Sequence, residues 1–236
     1  DKIYRVKQLQ CIALQCKLKR AGIARLYNKK YLIRSMQLAT LTSEPVKWLS
    51  SDNQFHHLYP PSIKVLATKH WTPLEVSRKA ASFLAVRKGC RILDIGSGVG
   101  KFCLSAAITN PHAHFYGVEH RKHLVTHAET AKAILRVPNA HFIHGNFTQL
   151  KMKEYDHFYF YNSFYENLAG TNKIDDSIAY SGELYNYYNS FLYRQLEQMP
   201  GGTRLVTYHS LEDEVPRGFL IVGAEMDNLL KYWIKE

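Results

Sequence analysis

Residues able to bind a ligand follow a short apolar strand predicted at 91–95. They read Asp94-Ile-Gly96-Ser97-Gly98-Val-Gly100, and a helix is predicted directly after them. Glycines let a chain turn tightly and bring its backbone against a ligand, with the N-terminus of the next helix behind it. In open α/β sheets, ligands bind beyond the carboxyl ends of the strands, so this glycine turn predicts a binding edge.

Two further groups follow the next two predicted strands. Glu119 ends the second strand, 25 positions after Asp94, and an acid at that place can accept both hydrogen bonds of a ribose diol. Asn146 and Phe147 follow the third strand, where a polar side chain and an aromatic ring could hold a purine. All three groups lie at the ends of successive strands, which favours a nucleoside pocket. The alternative is that the glycines only form a tight turn and that Glu119 is a solvated strand end.

The spacing of the glycines distinguishes between nucleoside ligands. A dinucleotide fingerprint reads GxGxxG and aims a helix N-terminus at a pyrophosphate. This chain reads GxGxG, with Asp94 two positions before the first glycine. An anion beside the ligand suits a cationic or zwitterionic molecule better than a pyrophosphate, which disfavours the alternative of a nicotinamide-dependent oxidoreductase.

At these residues the chain resembles the class I (seven-strand) S-adenosylmethionine-dependent methyltransferases, over about residues 72–236. The resemblance implies S-adenosyl-L-methionine as cofactor, with the ribose on Glu119 and the adenine on Asn146 and Phe147, and no metal ion. It also implies that Thr72 lies in a loop that covers the cofactor and that Asp94 opens the cofactor loop. Four residues would line the methionine part: Gly96, Ser97, Gly98 and Gly100.

The fourth predicted strand runs into Tyr161-Asn-Ser-Phe-Tyr-Glu-Asn167, which this fold places against the acceptor. Together with the glycine turn, Gly-Val-Glu and Gly-Asn-Phe, the Asn-Ser-Phe run resembles the non-SET histone-lysine methyltransferases. Their motifs are Asp-Leu-Gly-Ser-Gly-Val-Gly, Gly-Val-Glu, Gly-Asp-Phe and Asn-Asn-Phe, so Asn146 and Ser163 depart from the pattern. The resemblance implies a protein lysine as acceptor. The catalytic candidates are Asn162, Tyr165 and Glu166, and Asn162 is expected to contact the cofactor as well.

A lysine ammonium has a solution pKa of roughly 10.4 and must lose a proton before it can attack. An aromatic channel including Tyr165 would disfavour the ammonium, and Glu166 would orient the amine or take its proton.

Other acceptors remain open. The adenine and glutamine amino-group methyltransferases carry Asn-Pro-Pro-Tyr, of which only Asn162 and Tyr165 match, so an RNA or DNA base is the second hypothesis. A non-catalytic adaptor, or a membrane-surface protein that uses residues 2–34 as a basic amphipathic helix, is the third.

The elements that position these residues alternate between strand and helix, which predicts an α/β, doubly wound, mostly parallel seven-strand sheet. Residues 1–62 are predicted as a basic extension, helical over 2–41, with a linker or irregular arm over 50–62. Residues 63–236 are predicted as the S-adenosylmethionine-binding methyltransferase domain. Its predicted helices are 74–86, 101–108, 122–135 and 184–198. Its predicted strands are 91–95, 113–119, 140–144, 157–161, 203–208, 218–222 and 229–234.

The chain has 236 residues, 46% of them hydrophobic, which excludes a disordered protein. Its net charge of +11 is unevenly placed. Residues 1–70 hold 13 Lys and Arg against 3 Asp and Glu, a net +10, whereas residues 71–236 hold 18 against 17, a net +1. This predicts a nucleic acid or other polyanion as partner of residues 2–34, with a membrane surface as the alternative, and leaves the oligomeric state open.

The four cysteines form no CxxC pair and no disulfide framework, which predicts a reducing, intracellular location, with the cytoplasm favoured. Because the sequence begins at Asp1, an upstream anchor or targeting segment stays open.

Overall fold

A seven-stranded sheet runs through residues 45–236, the part of the chain that the computed structural model describes. The strands are β1 (Arg91–Ile95), β2 (His114–Glu119), β3 (Ala140–His144), β4 (His157–Phe160), β5 (Arg204–Tyr208), β6 (Phe219–Glu225) and β7 (Leu230–Lys235). Their order is β3-β2-β1-β4-β5-β7-β6. Strands β1 to β5 are parallel, and β7 is antiparallel to β5 and β6. The predicted fold class is confirmed.

Helices flank this sheet. They are α1 (Asp52–His56), α2 (Pro61–Lys64), α3 (Ala67–His70), α4 (Leu74–Leu84), α5 (Lys101–Thr109), α6 (Lys122–Leu135) and α7 (Gly182–Glu197). Short 3-10 helices cover Phe147–Gln149, Met152–Glu154, Tyr165–Asn167 and Glu212–Glu214. None of the helices within 45–236 has the length and apolar character needed to cross a membrane. The predicted helix over 2–41 and the basic residues 2–34 lie outside the described residues.

Alternation along the strands sends apolar side chains to both faces of the sheet. On β1, Ile92 joins a buried cluster with residues of α4, α5 and α6. Leu93 and Ile95 join a second cluster with Leu192 and Leu196, which lie one turn apart on α7. Burial on both faces is what a largely parallel sheet requires, and it leaves the strand ends free to form a site.

The prediction of a linker or irregular arm over 50–62 is wrong. Ser51 caps α1 by accepting the N–H of Gln54 at 3.1 Å, so a polar run that resembles a loop instead begins a helix. Phe55 and Tyr59 are buried, and the Tyr59 hydroxyl donates to the carbonyl oxygen of Val99 in the glycine turn at 2.9 Å. The compact unit accordingly begins at Pro45 rather than at residue 63.

Candidate active site

The carboxyl ends of β1, β2 and β4 open into one cavity, which α3 and the chain around residues 162–180 also line. The cavity brings together most of the residues predicted to bind or react. Those that line it are Thr72, Asp94, Gly96, Ser97, Gly98, Glu119, Asn146, Phe147, Asn162, Tyr165 and Glu166. Gly100 is the exception among the predicted residues.

Two glycines of the turn have different roles. Gly98 has a φ of +54°, and nothing lies within 4 Å of where its Cβ would be, so its backbone borders open cavity. Gly100 has a φ of +79°, and a Cβ there would overlap the ring of Phe142. The prediction that Gly100 lines the ligand is therefore corrected: it lies behind the turn, where close packing excludes any side chain.

Glu119 is buried and faces the cavity. One carboxylate oxygen, Oε2, accepts the N–H of Gly98 at 3.0 Å, and Oε1 accepts the N–H of Arg121 at 2.8 Å. Burial raises the pKa of Glu119, and these backbone donors and the charge of Arg121 oppose that rise. Each oxygen keeps acceptor capacity for a further donor such as a ribose hydroxyl.

The side chain of Asp94 is buried, and few neighbouring groups stabilise the charge of its carboxylate. Its Oδ2 accepts a weak hydrogen bond from the Cys103 thiol at 3.7 Å. Burial raises the pKa of Asp94 to about 8, and the charge of Glu119 adds to the effect. Nearby, Ser97 Oγ is buried and has no hydrogen-bond partner within the described residues. A cationic ligand would compensate the Asp94 carboxylate. The Ser97 Oγ is closed off from the cavity, because it packs against Gly117.

Asn146 and Phe147 lie in the cavity wall with much of their bonding capacity already used. The Asn146 side chain accepts the N–H of Thr148 at 3.1 Å and donates to the Tyr188 hydroxyl at 3.1 Å. Phe147 is buried and stacks on Phe164, with 5.0 Å between ring centroids. An adenine contact at these two residues stays a prediction.

The side of the cavity next to α1 contains charged residues that the sequence motifs did not indicate. Lys101, directly after the glycine turn, pairs with Asp52 and donates to His56 Nε2 at 3.1 Å. Thr72 is buried in this wall and shares a hydrogen bond with the Tyr159 hydroxyl at 3.0 Å. Thr72 lines the cavity, and its contact with the cofactor stays a prediction.

The acceptor half of the cavity, as we name the part lined by His70, Tyr161, Asn162, Tyr165 and His209, lies at the ends of β4 and β5. Asn162 and His209 both have left-handed backbones, with φ of +39° and +57°. Such conformations are rare for residues other than glycine and concentrate at functional sites. Tyr165 is 50% exposed. Sequence reasoning missed both histidines, although His209 directly follows a predicted strand, the rule that identified the other groups.

Glu166 is not a free carboxylate. Its Oε2 accepts a hydrogen bond from Arg121 Nη2 at 2.7 Å and the N–H of Ile174 at 3.0 Å. Arg121, which the motifs did not indicate, is buried between Glu119 and Glu166. Burial disfavours the charge of Arg121, but the two acids together raise its pKa. A role for Glu166 as a proton acceptor stays a prediction.

Comparisons with known proteins agree with this geometry. Residues 86–232 match the family described as a methyltransferase domain, and no curated protein sequence matches the chain. The structure is similar to TrmN from Thermus thermophilus, with 18% identity and a TM-score of 0.50 over 74% of this chain and 50% of that one. It is also similar to an RNA methyltransferase from Salinibacter ruber in complex with S-adenosyl-L-homocysteine, with 20% identity and a TM-score of 0.48 over 70% and 93%. At these identities the likeness concerns the fold alone.

The sheet order and the glycine turn beside a buried acid define a class I methyltransferase fold. The family match covers more than half of the sequence, and the chain belongs to the methyltransferase domain family. Its cofactor is S-adenosyl-L-methionine, and the residues present fit that molecule. Glu119 would hold the ribose hydroxyls, Asp94 would face the polar, cationic methionine part, and the open space at Gly98 would admit it.

Proposed function

We propose that this methyltransferase modifies an amine of a macromolecule, and that the favoured acceptor is the side chain of a protein lysine. The supporting observation is that burial lowers the pKa of both histidines in the acceptor half, His70 and His209. Surroundings that disfavour an imidazolium also disfavour a lysine ammonium, whose solution pKa is roughly 10.4. A lysine entering this half would lose its proton more readily and gain the lone pair that it needs to attack.

When bound, S-adenosyl-L-methionine supplies a methyl group on a sulfonium sulfur that leaves as a neutral sulfide. The side chains of the acceptor half would orient the amine, which loses its proton to water as it enters. Neutral His70 or His209 has a ring nitrogen that can accept a hydrogen bond from the neutral amine. The ring of Tyr161 lines this half and lies 4.8 Å from the ring of Tyr208, which packs behind it. Alignment of amine and methyl group is the main catalytic requirement, because the displacement needs geometry more than a strong base.

Transfer of a labelled methyl group from S-adenosyl-L-methionine into a cell extract tests this proposal. We expect the label to be removed by protease and to resist ribonuclease. Gly98→Arg, which fills the cofactor side of the cavity, is the matched inactive control. Label that resists protease and disappears with ribonuclease or deoxyribonuclease would exclude the lysine acceptor.

An amino group of an RNA or DNA base is the second candidate. Tyr165 presents a half-exposed ring in the cavity and donates its backbone N–H to the carbonyl oxygen of Asn162 at 3.1 Å. An exposed aromatic ring can stack a base with about 1–3 kcal/mol. The net charge of +10 over residues 1–70 would add contacts to phosphates.

Filter binding of RNA over a salt series tests the second candidate. Phosphate contacts predict an affinity that falls steeply as salt rises, and an affinity that does not change with salt would count against it.

Flotation with anionic liposomes, with and without residues 1–41, tests a membrane surface as partner of the same basic residues.

A further inference from the structure

Arg121 contacts two acids that line the cavity, Glu119 and Glu166. Only 3% of its side chain is exposed. Its backbone N–H donates to Glu119 Oε1 at 2.8 Å, and its Nη1 lies 3.6 Å from the same oxygen. On the other side, Nη2 donates to Glu166 Oε2 at 2.7 Å. One buried guanidinium thus joins Glu119, the acid that fits the ribose, to Glu166, which directly follows Tyr165 of the acceptor half.

The same arginine holds the segment 166–180, which we name the cover segment. Arg121 Nε donates to Asp175 Oδ1 at 3.2 Å, and Nη2 donates to the Tyr180 hydroxyl at 2.5 Å. The Tyr180 hydroxyl donates in turn to the carbonyl oxygen of Asp175 at 2.6 Å. Asn167, Asn172, Ile174, Ile178, Ala179 and Tyr180 of this segment line the cavity. After the 3-10 helix that ends at Asn167, the cover segment contains no helix or strand. Its position therefore depends on side-chain contacts, those of Arg121 and that of Lys69 Nζ, which donates to Asn172 Oδ1 at 2.6 Å.

The charges around Arg121 do not balance. Three carboxylates, of Glu119, Glu166 and Asp175, share one guanidinium. Burial is the main cause of the raised pKa of Glu119, and the charge of Glu166 adds to it, so these two acids repel each other. Hydroxyl groups that donate to Glu119 would disperse its charge and weaken this repulsion. Arg121 would then bind Glu166 and Asp175 more tightly.

We propose that Arg121 is a positioning residue that couples cofactor binding at Glu119 to the ordering of the cover segment. The part of the cavity lining that the cover segment supplies is then ordered when the cofactor is in place. By thermodynamic linkage, an ordered cover segment strengthens cofactor binding by the same factor. The inference rests on the cofactor of the family and is independent of the lysine acceptor.

Hydrogen exchange of residues 168–180, measured with and without saturating S-adenosyl-L-homocysteine, tests the coupling. In the wild type we expect the ligand to slow exchange there about fivefold or more, the factor that a typical coupling produces. Arg121→Lys keeps the charge and loses the planar fork. In that variant the slowing should fall below about twofold, and the dissociation constant from calorimetry should rise by a comparable factor.

Arg87→Lys is the matched control. Arg87 pairs with Asp156 at 2.5 Å near the amino ends of β1 and β4, away from the cavity. The same substitution there should leave both the slowing of exchange and the ligand affinity at wild-type values. Thermal unfolding of each variant reports whether the fold is intact.

Asp175→Asn provides a second route if Arg121→Lys does not fold. Asp175 does not line the cavity, so the variant removes no contact with the ligand itself. Its Oδ1 also accepts the N–H and the hydroxyl of Ser177 at 2.9 and 2.6 Å, so Ser177→Ala, which leaves the contact with Arg121, is the control for a purely local effect and should keep the wild-type slowing. Slowing equal to the wild type in both Arg121→Lys and Asp175→Asn would overturn the proposal. So would a wild type that binds the ligand with no change of exchange at 168–180. A wild type that binds no ligand would contradict the cofactor itself, and a nucleic-acid acceptor would leave the coupling untouched.

Discussion

Lys101 and Asp52 form an ion pair that joins the glycine turn to the first described helix. The side chain of Lys101 is 4% exposed, whereas that of Asp52 is 44% exposed. Asp52 Oδ1 also accepts the N–H of Leu74 at 3.1 Å, where α4 begins. The Asp52 carboxylate therefore connects α1, α4 and α5 beside the cofactor pocket. Within the ion pair, Lys101 is shielded from water and Asp52 is not.

This asymmetry predicts unequal costs for removing either partner. Asp52→Asn leaves a buried ammonium without its counter-charge and should lower the free energy of unfolding by about 3 kcal/mol. Lys101→Met leaves a carboxylate that water can solvate and should cost less than about 1 kcal/mol. Denaturant unfolding of both variants and of the double variant measures this. Equal costs for the two single changes would contradict the assigned role of burial.

Gly98→Arg should abolish binding of S-adenosyl-L-homocysteine while the protein stays folded. The new side chain would enter the cavity, because nothing lies within 4 Å of the Cβ position. Gly89→Arg is the control, since Gly89 has a φ of +76° and the same open surroundings but does not line the cavity. Both changes should cost about 1–2 kcal/mol of stability from backbone strain. In calorimetry, only Gly98→Arg should weaken binding, by about 100-fold or more, a loss of about 2.7 kcal/mol.

Asp94 should make the stability of the ligand-free protein fall with rising pH. Burial raises its pKa to about 8 in the folded state, against roughly 3.9 in the unfolded chain. The folded state therefore holds this proton more tightly. The resulting stabilisation is full below about pH 4 and is lost as the pH rises through about 8. Unfolding free energies at several pH values should show that Asp94→Asn removes this part of the slope. A parallel pH dependence in wild type and variant would exclude Asp94 as its source.

Binding of S-adenosyl-L-methionine should release a proton from Asp94 near neutral pH, because a cationic ligand favours the carboxylate. Calorimetry in two buffers of different ionisation enthalpy measures that proton. We expect its release in the wild type and its absence in Asp94→Asn.

Tyr165→Ala should reduce methyl transfer about tenfold or more and leave binding of S-adenosyl-L-homocysteine within about twofold, because the ring faces the acceptor half. A tenfold loss is about 1.4 kcal/mol of transition-state stabilisation. Tyr187→Ala is a matched control, since Tyr187 is 49% exposed against 50% for Tyr165 and does not line the cavity. Label incorporation into the extract measures transfer. Equal losses in the two variants would remove Tyr165 from the site.

The seven strands and the glycine turn were predictable because their signals are local. Apolar runs mark β1 and its neighbours, and the glycines mark the turn between β1 and α5. Since parallel strands end at one edge of a sheet, the sequence alone places Asp94, Glu119 and Asn162 in one pocket. The prediction for residues 50–62 was wrong because polar residues such as Ser51 occur both in loops and at the start of a helix, where they cap it.

By itself, the sequence determined the fold class, the cofactor edge and the concentration of basic residues before position 70. Only the tertiary structure decided what the charged side chains do. Arg121 meets Glu166 and Tyr180 across 45 and 59 positions of chain, and Lys101 meets Asp52 across 49. No local period or spacing encodes such contacts, because they depend on how the helices and the cover segment pack over the strand ends. Glu166, which the sequence motif predicts as a catalytic acid, is thus a cavity-lining residue whose carboxylate is bound by Arg121.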